Sequence, residues 1–208
     1  MLLKYSSHGK PGFTLIELLV VITIIAILMA LLFPAFRGVQ NQAKKTQAKN
    51  DVVQIVVAIT AFYTEYGQYP CGGSGVASDS QDWFNQTIAD KQGLWNNLRA
   101  QSGPYGYNTK GIAFTNPPTA KDLTKPRSGI GGDGIYYDPW GSPYLVRMDN
   151  NYNNIIPNAY SKNAGFAPNM NGGAIAWSIG TDQQSDAMPG PAPDKKTGTN
   201  EDDVISWQ

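Results

Sequence analysis

The chain has 208 residues with 16 basic and 16 acidic side chains, a length suited to one domain and a stem. This balance lacks the concentrated basic face of nucleic-acid-binding proteins, so we expect no direct nucleic-acid partner. The only histidine is His8 and the only cysteine is Cys71. An intramolecular disulfide is therefore excluded, and beyond the first residues so is any histidine-based catalytic or zinc site. These counts favour a non-enzymatic protein.

A short polar leader precedes an almost unbroken apolar run. The leader ends at Gly12, and the run from Leu18 to Phe36 contains 19 residues, which would form a helix about 28 Å long. Because the run is apolar on every face and nearly matches a hydrocarbon core of about 30 Å, it predicts a single transmembrane helix. A secretory signal, the alternative, would have a shorter apolar region followed by a small-residue cleavage site. The short leader favours a cytoplasmic N-terminus.

Glu17 is a carboxylate at the entrance of this apolar run. Such a group is costly to desolvate and is usually paired or functional. One interpretation is local, because Thr14 and Glu17 have the spacing of a capping box. The other is a charge partner: if the chain is cut after Gly12, Phe13 gains a free amine one helical turn away. In an assembly of parallel stems, Glu17 of one copy would neutralise that amine on a neighbour.

The segment from Gly12 to Ile22 resembles the N-terminal signature of type IV pilins and type II secretion pseudopilins. It has glycine before phenylalanine, glutamate at the fifth position after the glycine, and a long apolar run with a later proline. The resemblance implies cleavage between Gly12 and Phe13 by a prepilin peptidase, with N-methylation of Phe13. It also implies that Glu17 guides subunits into a helical filament. Loss of the leader lysines would leave 14 basic residues against 16 acidic ones.

The helix is predicted to continue beyond the membrane. Pro34 removes a backbone donor, so we expect a kink or a loosened turn there. From Arg37 to Tyr66 the pattern becomes amphipathic, and Gly67 and Pro70 end the helix. One apolar stripe follows a helical spacing and should pack on a sheet formed by the later chain. Its members are Val52, Ile55, Val56, Ile59, Phe62, Tyr63 and Tyr66.

The middle of the chain is less regular. A Gly/Ser-rich connector covers Cys71 to Asp82, and Cys71 is expected to be a small packed side chain near a turn. A short helix is predicted over Asp82 to Leu98, followed by an extended loop from Gly103 to Gly134. The apolar face of that helix would comprise Trp83, Ile88, Leu94, Trp95 and Leu98.

The Asp138-Pro139-Trp140-Gly141-Ser142-Pro143 segment predicts a hairpin or corner between Tyr136-Tyr137 and Tyr144-Leu145-Val146. Asp138 and the two prolines would fix the turn, and Trp140 would cover the core between helix and sheet. The Asp-Pro-Trp-Gly-x-Pro-Tyr phrase is similar to one in the major pseudopilins. Ala174 to Ile179 is predicted to be a buried strand.

The C-terminal phrases around Asp182 and Asp203 resemble the elements that bracket a calcium-binding loop in major pseudopilins. The resemblance implies Asp182 and Asp203 as ligands, with Asp202 as a further candidate. Calcium prefers six to eight oxygen ligands, which carboxylates and loop carbonyls supply. Solvated turns without a metal are the alternative. The loop from Gln183 to Glu201 is longer than the family pattern and lacks its paired glycines.

These features predict an α+β fold, with a long N-terminal helix packed on a small antiparallel sheet. The predicted regions are a leader (1–12), a transmembrane and filament-core helix (13–36), its amphipathic continuation (37–70) and a periplasmic body (71–208). The resemblance implies a type II secretion pseudopilus subunit in the bacterial inner membrane. Its partners would be further copies, minor pseudopilins, the prepilin peptidase and the inner-membrane assembly platform.

Two alternatives remain open. The same N-terminus serves type IV pili, competence pili and minor pseudopilins. A protein of another class would be a monomeric membrane-anchored glycan-binding protein that grips sugars with Trp83, Trp95 and Trp177.

Overall fold

The computed structural model describes residues 12–71, 83–84, 88–101, 106–160, 169–184, 194–196 and 198–207. The leader before Gly12 and most of the Gly/Ser-rich connector lie outside these ranges. The chain divides into two units, Met1–Ala43 and Lys44–Gln208. Helix α1 runs over Leu15–Tyr66, and within the first unit its described side chains are exposed. By length and composition this helix can cross a membrane.

Helix α1 passes through Pro34, whose side chain is outside the described part of the structure. The predicted kink stays a prediction. Gly67 follows the last helical residue with a φ of +67°, a conformation that glycine adopts without the steric cost of a side chain. The predicted end of the helix is therefore confirmed.

The second unit contains a four-stranded antiparallel sheet. Its strands are β1 (Trp83–Phe84), β4 (Leu145–Met148), β7 (Ala174–Ser178) and β8 (Val204–Ile205), and they are hydrogen-bonded in that order. Two small antiparallel pairs accompany it. One joins β2 (Gly129–Ile130) to β3 (Tyr136–Tyr137), and the other joins β5 (Ile155–Pro157) to β6 (Asn169–Asn171). The α+β class predicted from the sequence is confirmed.

The apolar stripe of α1 packs into the main core of this unit. Four of its predicted members are at most 1% exposed: Val52, Ile55, Ile59 and Phe62. Ala48 and Ala58, which are at most 2% exposed, belong to the same core cluster. Burying a large apolar side chain contributes about 1.5–3 kcal/mol, so this stripe is a main source of stability. Tyr63, predicted in the stripe, is instead 37% exposed.

The sheet is buried on both faces. Val146, Ala176 and Val204 belong to the cluster that contains the α1 stripe. Their neighbours along the strands point to the opposite face, as the two-residue period of a strand requires. These neighbours are Leu145, Ile175, Trp177 and Ile205, and they form a second cluster with Ile156, Ala159 and Tyr160. The predicted buried strand at Ala174 is thus confirmed.

The short helix differs from its prediction. Helix α2 covers Ile88–Leu98 and does not reach back to Asp82, because Trp83–Phe84 pairs with β4 as strand β1. Ile88 is 65% exposed, whereas Leu94, Trp95 and Leu98 are fully buried. The predicted apolar face is therefore correct for its second half and wrong for Ile88.

The predicted sugar-gripping role is wrong for Trp95 and Trp177. Trp95 and Trp177 have 0% of their surface exposed, so neither presents a ring face on which a sugar could stack. The side chain of Trp83 lies outside the described residues. Cys71 is 3% exposed with its Sγ 3.2 Å from Asn150 Oδ1, which confirms a small packed side chain.

A carboxylate joins α1 to the sheet side of the core. The hydroxyl of Tyr144 donates a 2.7 Å hydrogen bond to Asp51 Oδ2 on α1. Burial raises the pKa of Asp51, and the hydrogen bonds from Tyr144 and Tyr136 partly oppose that shift. The bond therefore stabilises an ionised group that the core would otherwise disfavour.

Tyr144→Phe is expected to lower the free energy of unfolding by about 1–3 kcal/mol, because it removes a hydrogen bond to a desolvated charge. Urea unfolding of the full-length protein in detergent would measure the change. Tyr107→Phe is the matched control, since the described part of the chain gives its hydroxyl no hydrogen-bond partner. Equal effects of the two substitutions would contradict the stabilising role of the Tyr144–Asp51 bond.

Candidate functional site

The predicted cleavage site lies in exposed chain just before α1. Gly12 and Phe13 are both exposed, Phe13 to 78%. A Cβ placed on Gly12 would meet no atom within 4 Å. Packing of the described residues therefore does not require glycine at position 12. A requirement for glycine would come from a partner that approaches the backbone, as a peptidase does.

Thr14 and Glu17 form a reciprocal capping box at the start of α1. Glu17 Oε2 accepts hydrogen bonds from Thr14 N at 2.8 Å and from Thr14 Oγ1 at 2.7 Å. In return, Glu17 N donates to Thr14 Oγ1 at 3.3 Å. These bonds satisfy backbone donors that the first helical turn leaves without partners. The local interpretation of Glu17 is confirmed, and its pairing with a cleaved N-terminus stays a prediction.

The same cap is compatible with a second partner. All three bonds are exposed, so a group from another molecule has access to the Glu17 carboxylate. Cleavage after Gly12 would turn the Phe13 nitrogen from a neutral amide into a cation. A carboxylate that enters an apolar assembly needs such a cation, because an unpaired buried charge costs several kcal/mol.

The two C-terminal phrases meet in space, as the sequence predicts. Asp202 Oδ2 accepts hydrogen bonds from the backbone nitrogens of Thr181 and Asp182, the latter at 3.0 Å. Gly180 has a φ of +71°, and a Cβ there would lie 2.6 Å from the Asp202 carbonyl oxygen. Only glycine allows this close approach. The chain after β7 is therefore fastened to the segment that precedes β8.

The three predicted calcium ligands are directed to protein donors. Asp182 Oδ1 accepts a hydrogen bond from Gln184 N at 2.8 Å, and Asp202 binds the two backbone nitrogens. Asp203 Oδ2 accepts the hydroxyl of Tyr160, and this aspartate is 6% exposed. Within the described ranges, no group of three or more His, Cys, Asp or Glu side chains is placed to hold a metal. As they lie, these side chains do not fit a calcium site, and calcium binding stays a prediction.

The sequence did not predict one buried charge of this loop. Lys195 is 8% exposed and its ammonium donates to the carbonyl oxygens of Asn200 and Glu201. A lysine in a polar loop normally lies in solvent. The residue names and spacing alone therefore gave no signal for this interaction.

Comparisons with known proteins find a family motif in the same N-terminal segment that contains the predicted cleavage site and Glu17. Residues 8–33 match the family model of the prokaryotic N-terminal methylation motif. The chain is 28% identical over 149 residues to the type II secretion system core protein G of Aeromonas hydrophila. This alignment covers 70% of this chain and 78% of the relative.

Two other relatives match shorter segments. Core protein G of Pseudomonas aeruginosa is 40% identical over 67 residues, or 32% of this chain and 47% of the relative. A fimbrial protein of Neisseria meningitidis is 34% identical over 89 residues, or 41% of this chain and 52% of the relative. The chain thus spans about half the length of these two relatives. No solved structure matches significantly.

These relatives are structural proteins, and the methylation-motif match at residues 8–33 includes the exposed Gly12–Phe13 site and the capped Glu17. The chain therefore carries the prokaryotic N-terminal methylation motif and is similar to type II secretion system core protein G, to a fimbrial protein and to a type IV major pilin.

Proposed function

We propose that this chain is the major pseudopilin of a type II secretion system, a subunit that polymerises into an inner-membrane-anchored filament and drives protein export. The observation that carries the proposal is the length of one match. The alignment to core protein G of Aeromonas hydrophila covers 149 residues, whereas that to the Neisseria fimbrial protein covers 89. Similarity to a secretion subunit thus extends well beyond the N-terminal motif.

In this proposal a prepilin peptidase removes the leader and Phe13 is N-methylated. Before assembly, the segment from Leu18 to Phe36 anchors the subunit in the inner membrane, with its N-terminus cytoplasmic and its body periplasmic. The assembly platform then extracts it, and minor pseudopilins accompany the filament. The exposed apolar residues of α1 support this course, because a contiguous apolar surface is stable only in lipid or against other subunits.

Glu17 has a distinct part in each state. Before assembly it caps α1 through Thr14. In the filament it would pair with the amine of Phe13 on a neighbouring copy. A subunit in the wrong axial position would bury one unpaired carboxylate and one unpaired amine, each at a cost of several kcal/mol. The charge pair would therefore select the register of neighbouring subunits.

Gly12→Val is expected to abolish leader removal and leave the fold unchanged. The bulky side chain would block the backbone approach of the peptidase, while the surroundings of Gly12 are open. Intact-mass measurement of the membrane-extracted chain would show the full leader. Gly38→Val is the matched control, since a Cβ at that position also meets no atom within 4 Å. Normal processing of Gly12→Val would contradict the proposed cleavage site.

Deletion of the gene tests which machine the filament serves. The proposal expects secreted enzymes to accumulate in the periplasm, while surface pili and DNA uptake persist. Restoration by a plasmid copy is the control. Loss of pili or of DNA uptake with intact secretion would favour the alternative, a type IV or competence pilin, for which the Neisseria match is the supporting observation.

A further inference from the structure

The C-terminal loop holds a buried cation of its own. The ammonium of Lys195 donates to the Asn200 carbonyl at 2.8 Å and to the Glu201 carbonyl at 3.1 Å. Carbonyl oxygens that converge on one positive centre are the usual environment of a bound cation. An ammonium with three donors fills the same electrostatic role with a covalently attached charge.

The loop is built around this position. Asn200 is 1% exposed, its side-chain nitrogen donates to the Asp194 carbonyl at 3.2 Å, and its own carbonyl also accepts Asp203 N at 3.3 Å. The Asn200 carbonyl thus receives both the ammonium and the backbone of the residue just before β8. The interaction ties Lys195 and Asn200 to the residue that precedes the edge strand β8.

Two nearby carboxylates favour the charged form of Lys195. Burial lowers the pKa of Lys195, and the negative charges of Asp203 and Asp202 oppose that shift. Asp202 and Asp203, two of the three predicted calcium ligands, therefore already lie in the field of a positive side chain. A calcium ion near the same carboxylates would be repelled by the ammonium, and repulsion between like charges is strong where water is scarce.

The bonds made by those aspartates agree with this arrangement. Asp202 Oδ2 is directed to two backbone nitrogens, and Asp203 Oδ2 accepts the Tyr160 hydroxyl. Calcium requires six to eight oxygens facing one point. Asp182 Oδ1, Asp202 Oδ2 and Asp203 Oδ2 each face a protein donor instead. The carbonyl oxygens of Asn200 and Glu201 face the ammonium of Lys195.

We propose that Lys195 supplies, from within the chain, the cation that closes the C-terminal loop, so that folding of the body does not depend on calcium. The proposal concerns the stability of the loop and is independent of which filament the subunit enters.

Thermal unfolding of the full-length protein in detergent tests the proposal. The wild-type melting temperature is expected to be the same in EGTA and in millimolar calcium chloride, since the ammonium of Lys195 already occupies the position between the Asn200 and Glu201 carbonyl oxygens. Lys195→Met keeps most of the apolar stem but removes the charge, and it is expected to lower the melting temperature by several degrees. Lys196→Met, the neighbouring exposed lysine, is the matched control and should leave the melting temperature unchanged.

Two results would overturn the proposal. One is a clear rise of the wild-type melting temperature on addition of calcium. The other is a Lys195→Met protein that melts like Lys196→Met. If Lys195→Met does not fold, Lys195→Arg should still fold without calcium, because it keeps a positive charge. If neither variant folds, the effect of calcium on the wild-type melting temperature decides. Magnesium chloride at the same ionic strength controls for charge screening.

Discussion

Replacing Glu17 with alanine is expected to prevent the processed subunit from entering filaments while its second unit stays folded. The substitution removes the carboxylate that would neutralise the Phe13 amine of a neighbouring copy. An amine left unpaired in an apolar assembly costs several kcal/mol, which corresponds to a loss of about a hundredfold or more in incorporation. The measurement is the amount of subunit in filaments sheared from cells that overproduce the chain, relative to the amount in the membrane.

Thr14→Ala separates the two roles of Glu17. It removes the hydroxyl that bonds to Glu17 Oε2 at 2.7 Å and accepts Glu17 N at 3.3 Å, but it retains the carboxylate. Loss of an N-cap typically costs about 0.5–2 kcal/mol, so filaments should still form. If Thr14→Ala and Glu17→Ala reduced filament yield equally, capping alone would explain Glu17 and the proposed charge pair would be wrong.

Asp138→Ala is expected to produce the largest loss of stability in the second unit. Asp138 is fully buried, and its Oδ1 accepts the backbone nitrogens of Trp140, Gly141 and Ser142 at 2.8–2.9 Å. Its Oδ2 accepts the Ser178 hydroxyl at 2.6 Å. The carboxylate thus holds its own turn and joins that turn to the end of β7.

Alanine would leave several buried donors without an acceptor, at about 1–3 kcal/mol for each unsatisfied group. A total loss on the order of 3–5 kcal/mol would be a large part of the roughly 5–15 kcal/mol by which a typical domain is stable. Chemical denaturation of the full-length protein in detergent, followed by tryptophan fluorescence, would measure it. Asp138→Asn should lose less, because its amide oxygen still accepts the three backbone nitrogens.

Asp122→Ala is the matched control for this prediction. Asp122 Oδ1 also accepts three hydrogen bonds, from Thr124 N, Thr124 Oγ1 and Lys125 N, but all three are exposed. Water replaces these bonds when the carboxylate is lost, so the change should stay near or below about 1 kcal/mol. A comparable loss for Asp122→Ala and Asp138→Ala would show that burial does not set the cost.

The parts of the fold that the sequence predicted correctly depend on local patterns. An all-round apolar run, a stripe with helical spacing and a turn rich in proline each indicate a local structure from residues that are close in sequence. Helix α1, its buried face from Val52 to Phe62 and the Asp138 turn were therefore predictable. The exposed capping box was also predictable, because Thr14 and Glu17 lie only three positions apart.

The errors arise where distant segments decide the structure. Trp83 and Phe84 lie in strand β1 because they pair with Met148 and Arg147, partners more than sixty positions away that no local pattern indicates. The hydrogen bond between Asp203 and Tyr160, which lie 43 positions apart, has the same origin. Tertiary contacts in these places override local preference.

The mass of the mature N-terminus tests the central claim most directly. The full-length chain, extracted from the membranes of a host with a prepilin peptidase, would be digested and its N-terminal peptide sequenced by mass spectrometry. The account predicts a peptide that begins at Phe13 and carries one methyl group on its α-amine. A peptide that begins at Met1, or one that begins beyond Phe36, would contradict it.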